Sequence, residues 1–336
     1  MKTLKYLSAT FLLAFAIVSS TPAQTSRSVA ITVDDLPYAG PLLNLPSYSA
    51  DEINNRLLAA FARHHVPVTG FVIEQTVGEK LDRATGTRVL QHWIANGLDL
   101  GNHSYSHPDF NNRSIDEIKE EITKGEATFA TLMKAAGKQP KYFRYPMLHT
   151  GDTKEKHDAI AAFIAQRGYH NAFCTVESSD YLFNVAYVKM LEKNDAASAK
   201  RLRAEYITYT ATEIDYYAAL NKQIFTYEPP EVLLMHDNPL NSDTIDDLLK
   251  LFEARGYKFV SIKTAQSDRA YQTPDTYVNS YGPMWGYRWA KELNVKVNGN
   301  LETEPPQWIL DYGKEDLPKT VSGPSTPKTS YLQAHP

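Results

Sequence analysis

The stretch Ser28-Val-Ala-Ile-Thr-Val-Asp-Asp35 is the first β-rich run of the chain, and it ends in two adjacent carboxylates. Its apolar and β-branched residues are typical of a buried strand. Neighbouring side chains of a strand start toward opposite faces, so Asp34 and Asp35 can reach one region only where the backbone turns. The run therefore predicts a buried strand with a pair of acidic groups at its carboxyl end.

Similar β-rich runs recur along the chain and alternate with segments of helical periodicity. Ser49 with Glu52, and Ser114 with Glu117, form capping boxes at the starts of two of these helical segments. Strand followed by helix, repeated this often, predicts an α/β protein with a parallel sheet. The predicted strands are residues 28–35, 66–74, 98–103, 141–145, 169–176, 231–236 and 258–262.

Side chains with acid, base or metal-binding chemistry follow directly on these strands. They are Asp34, Asp35, His103, Arg144, Asp180 and His236. In a β/α barrel the βα loops converge at the carboxyl ends of the strands, and catalytic groups gather at that rim. This placement predicts a barrel with an active site at one rim.

The segment His103-Ser-Tyr-Ser-His107 contains two imidazoles four residues apart. Two such rings on one side of a turn or helix, with one carboxylate, can bind a divalent metal and leave a coordination position open. A bound ion brings the pKa of water down to roughly 7 and polarises a carbonyl, and a nearby carboxylate then suffices as general base. The constellation indicates a hydrolase.

The same residues resemble the motifs of the polysaccharide deacetylases of carbohydrate esterase family 4, which share the NodB homology domain. The matching motifs, in chain order, are Thr32-Val-Asp-Asp35, His103 to His107, Arg144-Tyr-Pro146, Glu177-Ser-Ser-Asp-Tyr181 and Leu234-Met-His236. The resemblance extends over about residues 28–262. It implies a distorted (β/α)7 barrel over residues 28–265, with a helical insertion at about 182–230.

The resemblance also implies how the rim groups divide the work. Asp35, His103 and His107 would hold a divalent metal, with Zn as the expected ion and Co, Ni or Mn as alternatives. Asp34 would be the general base, and Arg144 would orient it.

A second pair of groups would serve the leaving group. The resemblance implies that His236 is the general acid and that Asp180 orients it. Glu177 and Tyr181 stand where the family has Asp and Trp, so the motif that contains Asp180 departs furthest from the family pattern.

Substrate contacts are also implied by the resemblance. The backbone N–H of Met147 would donate to the oxyanion, although the family usually has an aromatic residue at this position. Tyr181 and Leu234 would line the pocket for the acyl methyl group, and Tyr145 is expected beside the substrate.

These roles imply a metal-dependent deacetylase that hydrolyses N-acetyl groups on amino-sugar polymers such as peptidoglycan or chitin fragments. An O-acetyl esterase acting on xylan or on a small acyl ester would use the same residues. A non-catalytic carbohydrate-binding protein on the same framework is a third interpretation, although the metal ligands and both acid/base groups are present.

The charge balance narrows the class of partner. The chain has 35 basic and 39 acidic side chains, a net charge of −4. This weakly acidic balance disfavours nucleic acid and anionic surfaces, and it is compatible with an acetylated, neutral carbohydrate. The single cysteine, Cys174, cannot form a disulfide within the chain.

Residues 1–23 have the pattern of a secretory signal peptide. Lys2 and Lys5 precede an apolar run at residues 6–18, and small residues continue to Ala23. The pattern predicts cleavage after Ala23 and export to the periplasm or the exterior. The apolar run is shorter than the roughly 20 residues of a membrane span, so no stable membrane insertion is expected after cleavage.

Two further segments lie outside the barrel pattern. The insertion at about 182–230 is too long for a simple loop and has helical character, either shaping the substrate groove or acting as a spacer. Residues 266–336 are expected to form an irregular C-terminal extension. Its aromatic segment Pro283-Met-Trp-Gly-Tyr-Arg-Trp289 is expected to pack on the barrel rather than to bind carbohydrate, and the chain from about Lys314 is expected to be disordered.

Overall fold

The computed structural model describes residues 27–314 of the chain. The centre of this part is an eight-stranded sheet in which every neighbouring pair is parallel. The strands are β1 (Ser28–Leu36), β2 (Thr69–Val72), β3 (Asp99–Asn102), β4 (Tyr142–Phe143), β5 (His170–Asn171), β6 (Val176–Glu177), β7 (Glu231–His236) and β8 (Lys258–Phe259). The predicted signal peptide and the predicted disordered end beyond residue 314 lie outside the described residues.

Strand β1 occupies the middle of the sheet. The order is β5-β4-β3-β2-β1-β7-β6, and β8 pairs with the start of β1. Thr32 aligns with Thr69 of β2, and Asp34 aligns with His236 of β7. Because β1 is buried on both faces, its first half is mostly apolar, with Val29, Ala30, Ile31 and Val33 in the core.

The ring of strands closes through one continuous stretch, residues 170–177. At its start His170 pairs with Tyr142 of β4, and at its end Val176 pairs with Leu233 of β7. The stretch therefore changes partner halfway, so the single strand predicted here appears as β5 and β6. This change of partner is the distortion, and the prediction of a distorted (β/α)7 barrel is confirmed.

Helices surround this sheet and connect successive strands. They are α1 (Ala50–Arg63), α2 (Arg83–Ala95), α3 (Ile115–Lys124), α4 (Phe129–Ala135), α5 (Lys154–Gln166), α6 (Asp180–Glu192), α7 (Ala196–Phe225), α8 (Pro239–Ala254), α9 (Ile262–Ala265), α10 (Trp285–Glu292) and α11 (Gln307–Lys314). Both predicted helix starts are present, and Ser114 and Glu117 form the predicted capping box. At the other start the Ser49 side chain accepts from the Glu52 N–H, but the Ser49 N–H donates to the Pro46 carbonyl, so only half of the predicted box forms. Among the described residues, no helix is both long and apolar enough to cross a membrane.

The helical insertion consists of α6 and the long α7. Their apolar residues form a cluster of their own with α11, and Leu240 of α8 joins it. Its buried members are Phe183, Ala186, Tyr187, Met190, Ala199, Leu202, Tyr206, Tyr209, Leu240 and Ile309. The tyrosines Tyr206 and Tyr209 of α7 therefore pack in the interior.

The C-terminal extension is more helical than its proline-rich sequence suggests. Trp285 and Trp289 are spaced four residues apart on α10, and each is 1% exposed within the main core. The backbone N–H of Trp285 donates to the backbone carbonyl of Cys174 at 2.8 Å. Cys174 lies in the stretch 170–177 that closes the ring of strands. The extension is thus anchored to the barrel along its first half.

Candidate active site

Asp34 and Asp35 reach the same rim because the backbone turns within β1. Asp35 has φ of 66°, in the left-handed region, and the register with β2 shifts between Val33 and Leu36. The turn breaks the alternation of faces expected for two neighbouring strand residues. Asp34 is 2% exposed, and its partner across the sheet is His236.

Asp35, His103 and His107 form a cluster whose potential ligand atoms all lie within 4.8 Å of one another. His103 Nε2 is 3.4 Å and His107 Nε2 is 3.8 Å from Asp35 Oδ1. His107 itself has φ of 55°, so the segment between the two rings is a tight loop and not a helix.

The donor set of this cluster fits a divalent cation. Asp35 Oδ1 is buried and makes no well-formed hydrogen bond. Burial favours its neutral form, but the neighbouring imidazoles of His107 and His103 lower the pKa of Asp35 below its ordinary value. Burial also lowers the pKa of His107 to about 4, so that ring is neutral and its nitrogen can bind a metal.

Arg144 contacts both Asp34 and His103 of the candidate metal-binding cluster. Its backbone carbonyl lies 2.8 Å from His103 Nδ1, which turns His103 Nε2 toward the cluster. Its guanidinium is fully buried and donates to Asp34 Oδ2 at 3.2 Å and to Thr32 Oγ1 at 3.0 Å. The other oxygen, Asp34 Oδ1, is buried without a partner among the described residues, so it can accept a proton from a group placed in the rim.

Asp180 and His236 form the second pair at the rim. Asp180 is the first residue of α6 and is 1% exposed, and its Oδ1 lies 2.8 Å from His236 Nδ1. Its Oδ2 accepts from the His236 N–H at 2.8 Å. Burial favours the neutral imidazole, but the charge of Asp180 and its hydrogen bond outweigh burial and raise the pKa of His236 to about 10. The ring is therefore protonated at neutral pH and can give up a proton.

The four residues expected at the substrate differ in exposure. Met147 and Tyr181 are 49% and 47% exposed, and the Tyr181 ring is 6.0 Å from that of His236. Leu234 is nearly buried on β7. The side chain of Tyr145 is 3% exposed, and its ring packs edge-on against the rings of Phe110 and Phe143. It therefore belongs to the interior and presents no surface to a substrate.

Two asparagines that the sequence reasoning missed hold Asp180 in place. Asn238 Nδ2 donates to Asp180 Oδ2 at 2.9 Å, and Asn241 Nδ2 makes a short hydrogen bond to the same oxygen. Tyr206 of α7 donates to Asn241 Oδ1 at 2.9 Å, so the insertion reaches this network. Asn238 caps α8 with Pro239 at its first turn, and an Asn-Pro pair directly after the His236 motif is the signal that could have revealed it.

Comparisons with known proteins find similarity to deacetylases. Residues 21–165 match the family model described as polysaccharide deacetylase. The chain is 22% identical over 247 residues to a bifunctional xylanase/deacetylase of Pseudobutyrivibrio xylanivorans, covering 73% of this chain and 31% of that protein. It is 28% identical over 156 residues to a chitin deacetylase of Arthroderma benhamiae, covering 46% and 35%. The chain thus spans about a third of the length of these two curated relatives.

A solved structure, a polysaccharide deacetylase from Bacillus cereus, superposes with a TM-score of 0.48 at 22% identity, covering 70% of this chain and 91% of that chain. The segment matched by the family model, residues 21–165, contains the motifs at Asp34-Asp35, at His103 to His107 and at Arg144, so this part of the chain is similar to the polysaccharide deacetylases.

Proposed function

We propose that the protein is a metal-dependent hydrolase that removes N-acetyl groups from amino-sugar polymers of the peptidoglycan or chitin type. The observation that carries the proposal is that a candidate base, a candidate acid and a candidate metal-binding cluster lie at one rim of the barrel. A candidate base, Asp34, and a candidate acid, His236, flank a cluster of two imidazoles and one carboxylate. Amide hydrolysis needs all three, because water must be deprotonated, the carbonyl polarised and the amine protonated.

Asp34 is suited to accept the proton of the attacking water. Arg144 holds one oxygen of the carboxylate, and the free oxygen is buried without a partner among the described residues. A carboxylate fixed in this way keeps one lone pair in a constant direction. The remaining hydroxide then adds to the acetamide carbonyl carbon.

Asp35, His103 and His107 are the residues that would hold the cation, with Zn as the expected ion. When bound, the cation supplies Lewis acidity to the substrate carbonyl and makes the attacking water more acidic.

The tetrahedral oxyanion would receive a hydrogen bond from the Met147 N–H. Collapse of that species breaks the C–N bond, and protonated His236 gives its proton to the departing amine, which leaves acetate and a free amino sugar. Asp180 stabilises the protonated ring before transfer and keeps the transferring nitrogen, Nε2, directed into the rim.

The test is release of acetate from N-acetylglucosamine oligomers and from peptidoglycan by metal-analysed protein, with Asp34→Asn as control. The substitution keeps the size of the side chain but removes the base, so it should abolish turnover and leave metal binding largely intact. If Asp34→Asn instead loses its metal, the roles of Asp34 and Asp35 are reversed.

The same assay separates the two alternatives. Release of acetate only from acetylated xylan or aryl esters would replace the amide by an ester as substrate. A metal-loaded protein that releases acetate from none of these would be a carbohydrate-binding protein. We also propose export to the periplasm or exterior, which detection of the chain cleaved after Ala23 in those fractions would support.

A further inference from the structure

The turn that carries the Met147 N–H has an unusual backbone. Met147 and Leu148 follow each other with φ of 53° and 55°, both in the left-handed region. Residues with side chains adopt this region at a cost, and two in succession persist only where the surroundings hold them. The hydrogen bonds within the turn run from the Leu148 N–H to the Tyr145 carbonyl and from the His149 N–H to the Pro146 carbonyl.

The main support comes from Arg288 on α10, in the C-terminal extension. Arg288 is 2% exposed, and it donates to the Leu148 carbonyl at 2.6 Å and to Thr150 Oγ1 at 2.9 Å. Asp275 pairs with the guanidinium at 3.4 Å, and the ring of Trp285 stacks on it at 4.2 Å. A buried guanidinium is retained only with such partners, and here two of them belong to the segment that directly follows Met147.

A second contact comes from the irregular segment just before α10. A Cβ added to Gly282 would lie 2.1 Å from the Met147 carbonyl oxygen and 2.8 Å from the Leu148 carbonyl carbon. Only a glycine allows this approach of the two backbones. Next to it, the Ser280 carbonyl accepts from Asn111 Nδ2 at 2.9 Å, which ties the extension to the loop after His107.

We propose that the C-terminal extension is part of the active site, with Arg288 and Gly282 as positioning residues that hold the Met147 N–H where the oxyanion forms. The inference rests on the proposed deacetylase function. It differs from a purely structural role for the extension, because it predicts a loss confined to the chemical step. Neither residue touches the substrate.

The experiment compares two variants with a matched control, each in the full chain with metal content measured. Gly282→Ala inserts a methyl group against the Met147 carbonyl. Arg288→Lys keeps the positive charge that faces Asp275 but lacks the guanidinium that donates at once to the Leu148 carbonyl and to Thr150 Oγ1. Since displacing a catalytic group by about 1 Å can cost about 100-fold, kcat should fall roughly 10- to 100-fold while KM and metal content stay unchanged. The control is Gly313→Ala, whose Cβ would make an ordinary contact with Val185 at 3.4 Å, and it should keep the kcat of the wild type.

Hydrogen exchange supplies a readout that does not depend on activity. The Leu148 and His149 amides should exchange faster in Gly282→Ala and Arg288→Lys than in Gly313→Ala. Unchanged exchange at these amides, or a folded Gly282→Ala variant with the kcat of the control, would overturn the inference. If the wild type itself releases no acetate from any glycan or ester, the deacetylase proposal fails, and the exchange result still decides whether the extension holds the turn.

Discussion

Glu231, at the start of β7, is a buried carboxyl whose ionisation should weaken the fold. Its side chain is fully buried, Thr175 Oγ1 and Asn221 Nδ2 both donate to Oε2, and Oε1 has no partner among the described residues. Burial raises the pKa of Glu231 to about 8, because these two hydrogen bonds offset only part of the desolvation. We therefore predict that Glu231→Gln becomes stabilising relative to the wild type as pH rises.

The magnitude follows from the difference between the two states. The pKa is about 8 in the native state and 4.5 in the unfolded chain. The native state therefore binds more protons than the unfolded state between these values, and the free energy of unfolding falls as pH rises through that window. With about 1.4 kcal/mol per pKa unit, Glu231 costs the wild type about 1 kcal/mol at pH 5 and about 3 kcal/mol at pH 7. Glutamine cannot ionise, so the difference between variant and wild type should grow by about 2 kcal/mol over this range.

The assay is reversible urea unfolding of both proteins at several pH values between 5 and 7. With an m value of about 3 kcal/mol per M, the separation of the two midpoints should change by roughly 0.7 M. The amide also alters the hydrogen bonds, but that offset does not depend on pH, so the slope carries the result. Glu155→Gln, an exposed substitution of the same chemistry on α5, is the control. A difference for Glu231→Gln that stays constant within about 0.5 kcal/mol would refute the reasoning.

Four further predictions concern the groups at the rim of the barrel and the residues that support them. His236→Ala should cripple amide cleavage far more than cleavage of an activated aryl ester, whose leaving group needs no proton; equal losses on both substrates would argue against the acid role. Asp180→Asn removes the charge that raises the pKa of His236, so the alkaline limb of the kcat profile should move down by roughly 1 to 3 pH units; an unmoved limb would show that another group titrates there. Chelation should abolish acetate release, with recovery on adding Zn to the wild type but not to His103→Ala; activity that survives full metal removal would contradict this. Tyr206→Phe removes the hydroxyl that donates to Asn241 and should cost about 1 kcal/mol of stability, read by urea unfolding, with KM unchanged.

The rim position of the polar groups was predictable because it depends on local pattern. Asp34 lies near the end of β1 and His236 ends β7, both strands are marked in the sequence by an apolar run, and parallel strands bring their carboxyl ends to one edge. The N-caps at Ser49 and Ser114 were predictable for the same reason, since their partners lie three residues away.

The remaining features depend on contacts that no local pattern encodes. The left-handed turn at Asp35 brings both aspartates to the rim, yet Asp is only one of several residues that tolerate this conformation. Arg288 reaches Leu148 across 140 positions of the chain, inside a proline-rich segment that gave no sign of a long-range anchor. Tyr145 was expected beside the substrate because of its motif, and only the packing of neighbouring rings shows that it faces inward.

The pairing of β1 with β7 also determines when the central part of the sheet can form during synthesis. Val29 aligns with Glu231, so the central strand waits for a partner that lies about 200 positions later in the chain. Contacts between residues so far apart in sequence form slowly, because the entropy of closing a long loop is lost before the contacts stabilise the chain. During synthesis one flank of β1 therefore stays open until residues 231–236 have emerged, and an open strand edge is a template for aggregation. Since Asp34 and His236 lie on these two strands, a nascent chain shorter than this lacks His236, one of the two groups that we propose as base and acid.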